Sequence, residues 1–285
     1  MRRRDALLLP VLAVGAASCG RRATERPAAQ GVARRVVSLA PSATEMLFAL
    51  GAGDAVVGVS TFDDFPPEAA RRPRVGGIVN PSFEAIVALR PDALVGVQGP
   101  TDRGVLDRLS AMGVRQVFPR VESIDEVLAS VDLFAALVGR AREGAALRAR
   151  LRAELDAVAR RVAGAPRPRT LAVFSVQPLV VAGRGSWVDE VLSAAGGTNA
   201  IDTPVRYPTV GVEVVLRAAP EVILDLSWHA GGGDLRALLS AHGRVEAVAR
   251  GRVISLPDPL FVRPGPRVGE AVRQLAARLH PGIPQ

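Results

Sequence analysis

The stretch Ala141-Arg-Glu-Gly-Ala-Ala-Leu147-Arg-Ala-Arg-Leu151-Arg-Ala-Glu-Leu155-Asp-Ala-Val158-Ala-Arg-Arg-Val162-Ala163 carries the longest helical pattern in the chain. Leu147, Leu151, Leu155, Val158 and Val162 recur at spacings of four, four, three and four, which is one face of an α-helix. At 1.5 Å per residue such a helix is roughly 34 Å long. Ala165-Pro-Arg-Pro168 terminates it. On both sides of it the chain alternates short apolar runs with shorter helical patterns.

Upstream, Val36-Val37-Ser38-Leu39-Ala40 reads as a buried strand. Ser42 and Glu45 have the spacing of a capping box, predicting a helix that runs to Leu50 and stops at Gly51 and Gly53. Strands at 56–60, 93–97 and 114–118 then alternate with helices at about 83–89 and 102–112. Ser123 and Glu126 form a second capping box, opening a helix to about 138. The alternation restarts at Leu171. Apolar strands alternating with helices indicate a parallel sheet covered on both faces.

The downstream half repeats the upstream half. Glu84 precedes Pro91 by seven residues and Glu213 precedes Pro220 by seven, each with an apolar helical run between and an acid after the proline. Gly113 precedes Pro119 by six residues and Gly251 precedes Pro257 by six. Two matches in the same order predict two similar lobes joined by one helix. The expected fold class is therefore α/β, two Rossmann-like lobes bridged by a single long helix. The expected divisions are an N-terminal lobe at 35–140, a connecting helix at 141–164 and a C-terminal lobe at 165–285.

The N-terminus has a different character. Arg2-Arg3-Arg4 is basic, residues 6–17 are almost wholly apolar, and small residues precede Cys19, the single cysteine of the chain. That is the order of an export signal, with an apolar segment too short to span a bilayer. The pattern resembles a bacterial lipoprotein signal, in which residues 1–18 are removed and Cys19 is lipidated, although Ala16 stands where Leu is usual. Residues 19–34 read as a flexible tether holding the folded part off a membrane.

Composition excludes other classes. The chain of 285 residues is 48% hydrophobic, ample for a core, and its formal charge of +8 is spread along the whole length. No run of like charges is interleaved with aromatics, so nucleic acid is not an expected partner. G-x-S-x-G, the P-loop and H-E-x-x-H are all absent. Gly51-Ala-Gly53 follows a helix rather than a strand, so it reads as a helix stop. His229, His242 and His280 are not spaced as metal ligands, and His280 is read as a surface or capping residue in the last turn of a terminal helix. Neither catalysis, a metal nor a cofactor is expected.

Aromatics make up only 4% of the chain, and several fall outside the periodic segments. Phe62, Phe65, Tyr207, Trp228 and Phe261 lie in stretches rich in Pro, Gly or Asp. Phe62 and Trp228 come just beyond strand C-terminal ends, where open α/β sheets bind ligands. Two lobes with such loops facing each other would enclose an aromatic-lined cleft.

Arg35-Val-Val-Ser-Leu-Ala-Pro-Ser-Ala-Thr-Glu45, Phe62-Asp-Asp-Phe-Pro-Pro-Glu-Ala69 and Val75-Gly-Gly77 resemble the vitamin B12 (cobalamin) solute-binding proteins of bacterial ABC importers. So do Ser186-Trp-Val-Asp-Glu-Val-Leu-Ser-Ala-Ala-Gly-Gly197, Tyr207-Pro208 and Arg263-Pro-Gly-Pro-Arg267. The resemblance covers about 35–281 and extends to the broader group that binds iron siderophores and heme. It implies two lobes on one rigid helix, with small hinge motion. It implies one docking glutamate per lobe for arginines of the permease dimer that works with ATPase subunits; these map onto Glu84 and Glu213. It maps pocket aromatics onto Phe62 and Tyr207, and it departs at Ile78, where Trp is common. Its ligand would be a corrinoid held by Phe62, Phe65, Tyr207, Phe261 and neighbouring polar groups. An anionic siderophore would instead want converging arginines, for which Arg206 and Arg263 are candidates. Heme would want an axial Tyr207 or His229. An extracytoplasmic α/β enzyme is the remaining alternative.

Overall fold

A computed structural model describes residues 31–227, 234–241 and 245–283. In chain order the N-terminal half contains β1 (Val36–Ser38), α1 (Pro41–Ala49), β2 (Val56–Gly58), α2 (Pro67–Ala70), α3 (Phe83–Ala88), β3 (Ala93–Val95), α4 (Arg103–Ala111), β4 (Arg115–Val117) and α5 (Ile124–Leu137). Then comes α6 (Ala141–Val162), the long helix read from the sequence. The second half contains β5 (Arg169–Val176), β6 (Leu179–Val181), α7 (Trp187–Ala194), β7 (Thr198–Asn199), α8 (Val212–Ala218), β8 (Val222–Asp225), α9 (Leu235–Ala241), α10 (Glu246–Ala249), β9 (Val253–Ser255) and α11 (Val268–Leu279).

The strands form two separate sheets. One is wholly parallel in the order β2-β1-β3-β4. The other runs β6-β5-β8-β9, with β5, β8 and β9 parallel, β6 antiparallel to β5, and β7 paired to the start of β5. In the first sheet β1 is the switch point, because the chain leaves it towards β2 on one side and returns to β3 on the other. Loops beyond the strand ends diverge there and leave a crevice.

The repeat is visible in backbone detail. Among the described residues Arg90 and Ala219 are the non-glycine residues with positive φ, at 47° and 43°, and each lies six residues after its glutamate. Asp92 accepts from the amides of Arg34 and Arg35; its counterpart Glu221 accepts from the amide of Arg169. The guanidinium of Arg35 bonds Leu89 O, and that of Arg169 bonds Ala218 O, equivalent carbonyls at the C-terminal ends of α3 and α8. One supersecondary unit has been built twice.

Between the sheets lies α6. Leu147, Leu151 and Val158 are buried, and Leu155 and Val162 pack partly buried against the same core, so the five-residue stripe does face inward. That core is continuous through α1, α5, α6, α7 and α11. The terminal His280 is buried rather than superficial. Its Nε2 lies 3.2 Å from Ala195 O, tying the end of α11 to the end of α7. No helix among the described residues is long and apolar enough to cross a membrane.

Two capping boxes were expected. Ser123 does cap α5, accepting from the Glu126 amide at 3.2 Å, while the Glu126 carboxylate takes the amide of Glu122 instead of closing the box. Ser42 caps nothing. Pro41 occupies the first helical position, where its missing N–H costs no bond, and Ala40 is the N-cap without a side-chain bond. Ser42 and Glu45 are therefore inside α1 and buried. This shift of two positions gives Glu45 a different task.

Candidate functional site

The loop after β2 builds one wall of the site. Thr61 N donates to Gly76 O, and Val59 exchanges backbone bonds with the strand-like run at 73–75. Gly76 has φ +100°, and a Cβ there would stand 2.9 Å from the Ser82 amide nitrogen, so only glycine fits. The loop then alternates in and out. Phe62 is 58% exposed, Asp63 is 1% exposed, and Phe65 is 41% exposed. Asp63 accepts from Ser60 Oγ beneath the loop, and Ser60 Oγ also accepts from Phe62 N at 3.3 Å. Burial pushes the Asp63 carboxyl above its usual range, against the opposing pull of the Ser60 hydrogen bond and of the Arg74 charge.

The facing wall comes from the segment after β9. Arg263 reaches across to Asp64, with Nη2 3.1 Å from Oδ2 and Nη1 on Oδ1, and to Glu45 Oε1 at 3.3 Å. Its Nη2 also donates to Phe62 O at 3.4 Å. Arg267 holds Glu45 in a two-point bond, Nε to Oε2 at 2.8 Å and Nη2 to Oε1 at 2.9 Å. The same guanidinium lies 4.1 Å from the centre of the Phe65 ring. The Glu45 side chain is 2% exposed, and Arg263 and Arg267 are 15% and 20% exposed. Two cations therefore meet two anions across the lobe boundary. The Arg263 hydrogen bond holds the Asp64 carboxyl below its usual range despite partial desolvation.

A second bridge joins the lobes on the Tyr207 side. Arg206 Nη1 pairs with Glu122 Oε2, and Ile124 N approaches Glu190 Oε2 at 3.4 Å. Tyr207 is 48% exposed and sits edge-on to Phe174, centroids 5.2 Å apart at 85°. Burial raises the pKa of its phenol.

The predicted residues separate into groups. Phe62, Asp64 and Arg263 line one depression of about 480 Å³ with Thr61, Asp63 and Pro259. Phe65 lines a different, larger groove of about 800 Å³ with Arg267, Phe48 and the α6 residues Glu154 and Val158. Phe261 is corrected: it is 3% exposed within the main core, held in a short turn capped by Asp258, and offers no face to a ligand. Arg206 and Arg263 do not converge as free cations, because each is engaged by carboxylate. Trp228, His229, His242 and Cys19, with the signal and most of the tether, lie outside the described residues. Among the described residues no cluster of three or more acidic, His or Cys side chains can hold a metal.

Glu84 and Glu213 are exposed second residues of α3 and α8. Neither has a hydrogen bond or ion pair among the described residues. Sequence reasoning missed Glu45, Asp64 and Arg267 as a set. The one available signal was Pro41, which favours the first helical position and displaces Ser42 from the cap.

The family model described as "Periplasmic binding protein" matches residues 36–260. A vitamin B12-binding protein of Yersinia pestis is 30% identical over 248 residues, covering 87% of this chain and 86% of that one. The vitamin B12 binding protein BtuF of Vibrio cholerae superposes with a TM-score of 0.76 at 30% identity, covering 87% and 96%. The periplasmic heme-binding protein RhuT of Roseiflexus sp. RS-1 superposes with a TM-score of 0.78 at 30% identity, covering 88% and 99%. The fold is thus shared along nearly the whole described chain, and the protein belongs to the periplasmic binding protein family.

Proposed function

We propose that this protein captures cobalamin or a related corrinoid in the cleft between its lobes and delivers it to an ABC importer. The chain acts outside the cytoplasm as a substrate-binding protein of a transporter rather than as an enzyme. The observation that carries the choice of ligand is the charge balance of the cleft: Arg263 and Arg267 are matched by Asp64 and Glu45, and Arg206 by Glu122. A ligand whose periphery is amide rather than carboxylate suits such a surface. Phe62 supplies an apolar face, and Tyr207 a second one.

Heme is the rival, because proteins of equal structural likeness bind it. Its iron requires an axial donor from the protein. Phe62, the exposed ring of the depression beside Arg263, provides none. Corrin cobalt brings its own axial ligands and makes no such demand. The tetrapyrrole is cargo in either reading.

The lobes in this proposal are 35–140 and 165–285, joined by 141–164. Glu84 and Glu213 dock the permease dimer, and lipidated Cys19 holds the protein at a membrane. Absorption and calorimetric titration of the full chain with cyanocobalamin, hemin and a ferric siderophore tests the ligand. Tight, saturable binding of cyanocobalamin, weakened by about 1–3 kcal/mol in Phe62→Ala, is the expected result. Preference for hemin or the siderophore would refute it.

A further inference from the structure

Resting on the reading of the cleft as a tetrapyrrole site, we infer that Asp64 is a specificity determinant that excludes anionic ligands by neutralising Arg263. Arg263 would otherwise be an anion receptor. Its side chain is 15% exposed and projects from one lobe into a depression that it shares with Phe62. A partly desolvated guanidinium in that position would pair in two-point fashion with a ligand carboxylate. Asp64 already occupies that edge, with both carboxylate oxygens on both terminal nitrogens. The carboxylate belongs to the depression itself, so an incoming anion meets both an engaged arginine and a like charge.

The two counter-charges divide the work. Glu45 is buried at 2% exposure and shared between Arg263 and Arg267, so it is part of the architecture. Asp64 is 59% exposed and bonds Arg263 alone among these arginines. It is the member that can be altered without uncovering the core. Arg74, the other cation lining the depression, is turned to the carbonyls of Ser60 and Ala70 and lies beside buried Asp63. Loss of the Asp64 charge therefore leaves the depression one charge more positive, with Arg263 as the group that carries it. Selectivity of this kind arises from a repulsive element rather than an added attraction.

The test isolates charge from shape with two matched ligand pairs: cyanocobalamin against its monocarboxylic acid, and hemin against hemin dimethyl ester. For each pair the ratio of dissociation constants is measured by absorption titration on the full chain. Wild type should favour the uncharged member. Asp64→Asn should shift the ratio towards the acid by about tenfold, equivalent to about 1.4 kcal/mol. Asp64→Glu should restore the wild-type ratio. Arg263→Gln, which leaves Asp64 uncompensated, should move the ratio the opposite way, and it decides the question if Asp64→Asn does not fold. An unchanged ratio in Asp64→Asn, or the same direction of change in both variants, overturns the inference, as does failure of both pairs to bind. Binding of the hemin pair alone overturns the corrinoid reading, while the ratios for that pair still decide the role of Asp64.

Discussion

Asp63 and Asp64 are adjacent carboxylates with opposite surroundings. Asp63 is buried under the loop, and desolvation raises its pKa; Asp64 faces Arg263, whose hydrogen bond lowers its pKa. Their effects on stability have opposite pH dependence. For Asp64 the folded value lies below the unfolded value of about 3.9. Its stabilisation is present above that pH and is lost as pH falls through the lower folded value. For Asp63 the folded value lies above the unfolded one, so its protonated form favours folding, and that stability is lost as pH rises through the folded value. Asp64→Asn should therefore cost stability at neutral pH, by about 0.2–1 kcal/mol for so exposed a partner, and nothing well below about pH 3. Asp63→Asn should become more stable relative to wild type as pH rises from about 3 to 7. Thermal unfolding at both ends of that range distinguishes them. Parallel curves for the two variants would contradict these assignments.

At the scale of elements, α3 and α8 show why a repeat is more informative than either copy. Each has its glutamate at the second position, a left-handed residue after its last turn, and an arginine from the start of the neighbouring strand segment on a carbonyl at its C-terminal end. A carboxylate near a helix N-terminus offsets the macrodipole by about 0.3–1 kcal/mol. That accounts for either glutamate alone. It does not account for both being exposed and unpartnered among the described residues at equivalent places in two lobes. In the docking proposal, Glu84→Ala and Glu213→Ala retain ligand affinity and lose no more stability than this dipole contribution. Transport through the cognate permease should fall in each, further in the double variant, and further still with Arg at both positions, because like charges then meet. Normal transport by the double variant together with a lowered melting temperature would reduce the glutamates to helix-end charges.

For the molecule as a whole, the lobes are joined by more than α6. Glu45 lies in the first helix of one lobe, and its partners Arg263 and Arg267 lie just before the last helix of the other. Removing the buried Glu45 carboxylate leaves Arg267 without its carboxylate partner and Arg263 with Asp64 alone, at a cost of about 3–5 kcal/mol. Glu45→Ala should show that loss in denaturant unfolding, whereas Glu122→Ala, whose partner Arg206 is 46% exposed, should lose no more than about 1 kcal/mol. Equal effects would mean that the Glu45 cluster does not join the lobes. The cluster also ties the contact between the lobes to the aromatic wall, since Arg263 bonds the Phe62 carbonyl and Arg267 stacks on Phe65.

Local chemistry made much of this readable without coordinates. The stripe Leu147, Leu151, Leu155, Val158 and Val162 specifies a helix because only one period brings those side chains to one face. The spacings Glu84–Pro91 and Glu213–Pro220 specify a repeated unit because helix length, left-handed stop and proline-led strand are all determined by neighbours in sequence. The loop positions of Phe62 and Tyr207 likewise followed from their Pro- and Asp-rich surroundings. What sequence could not supply was long-range pairing. Glu45 at three residues past Ser42 has the spacing of a cap, and its true partners are more than 200 residues away. Phe261 looked like a cleft aromatic because it is in a loop, but that loop folds inward and buries the ring. Arg263 looked like a free cation until Asp64 and Glu45 were brought against it. Periodicity and turn chemistry act between near neighbours and determined the elements of this protein. Burial and charge compensation act between whatever the chain brings together, and tertiary structure alone decided them.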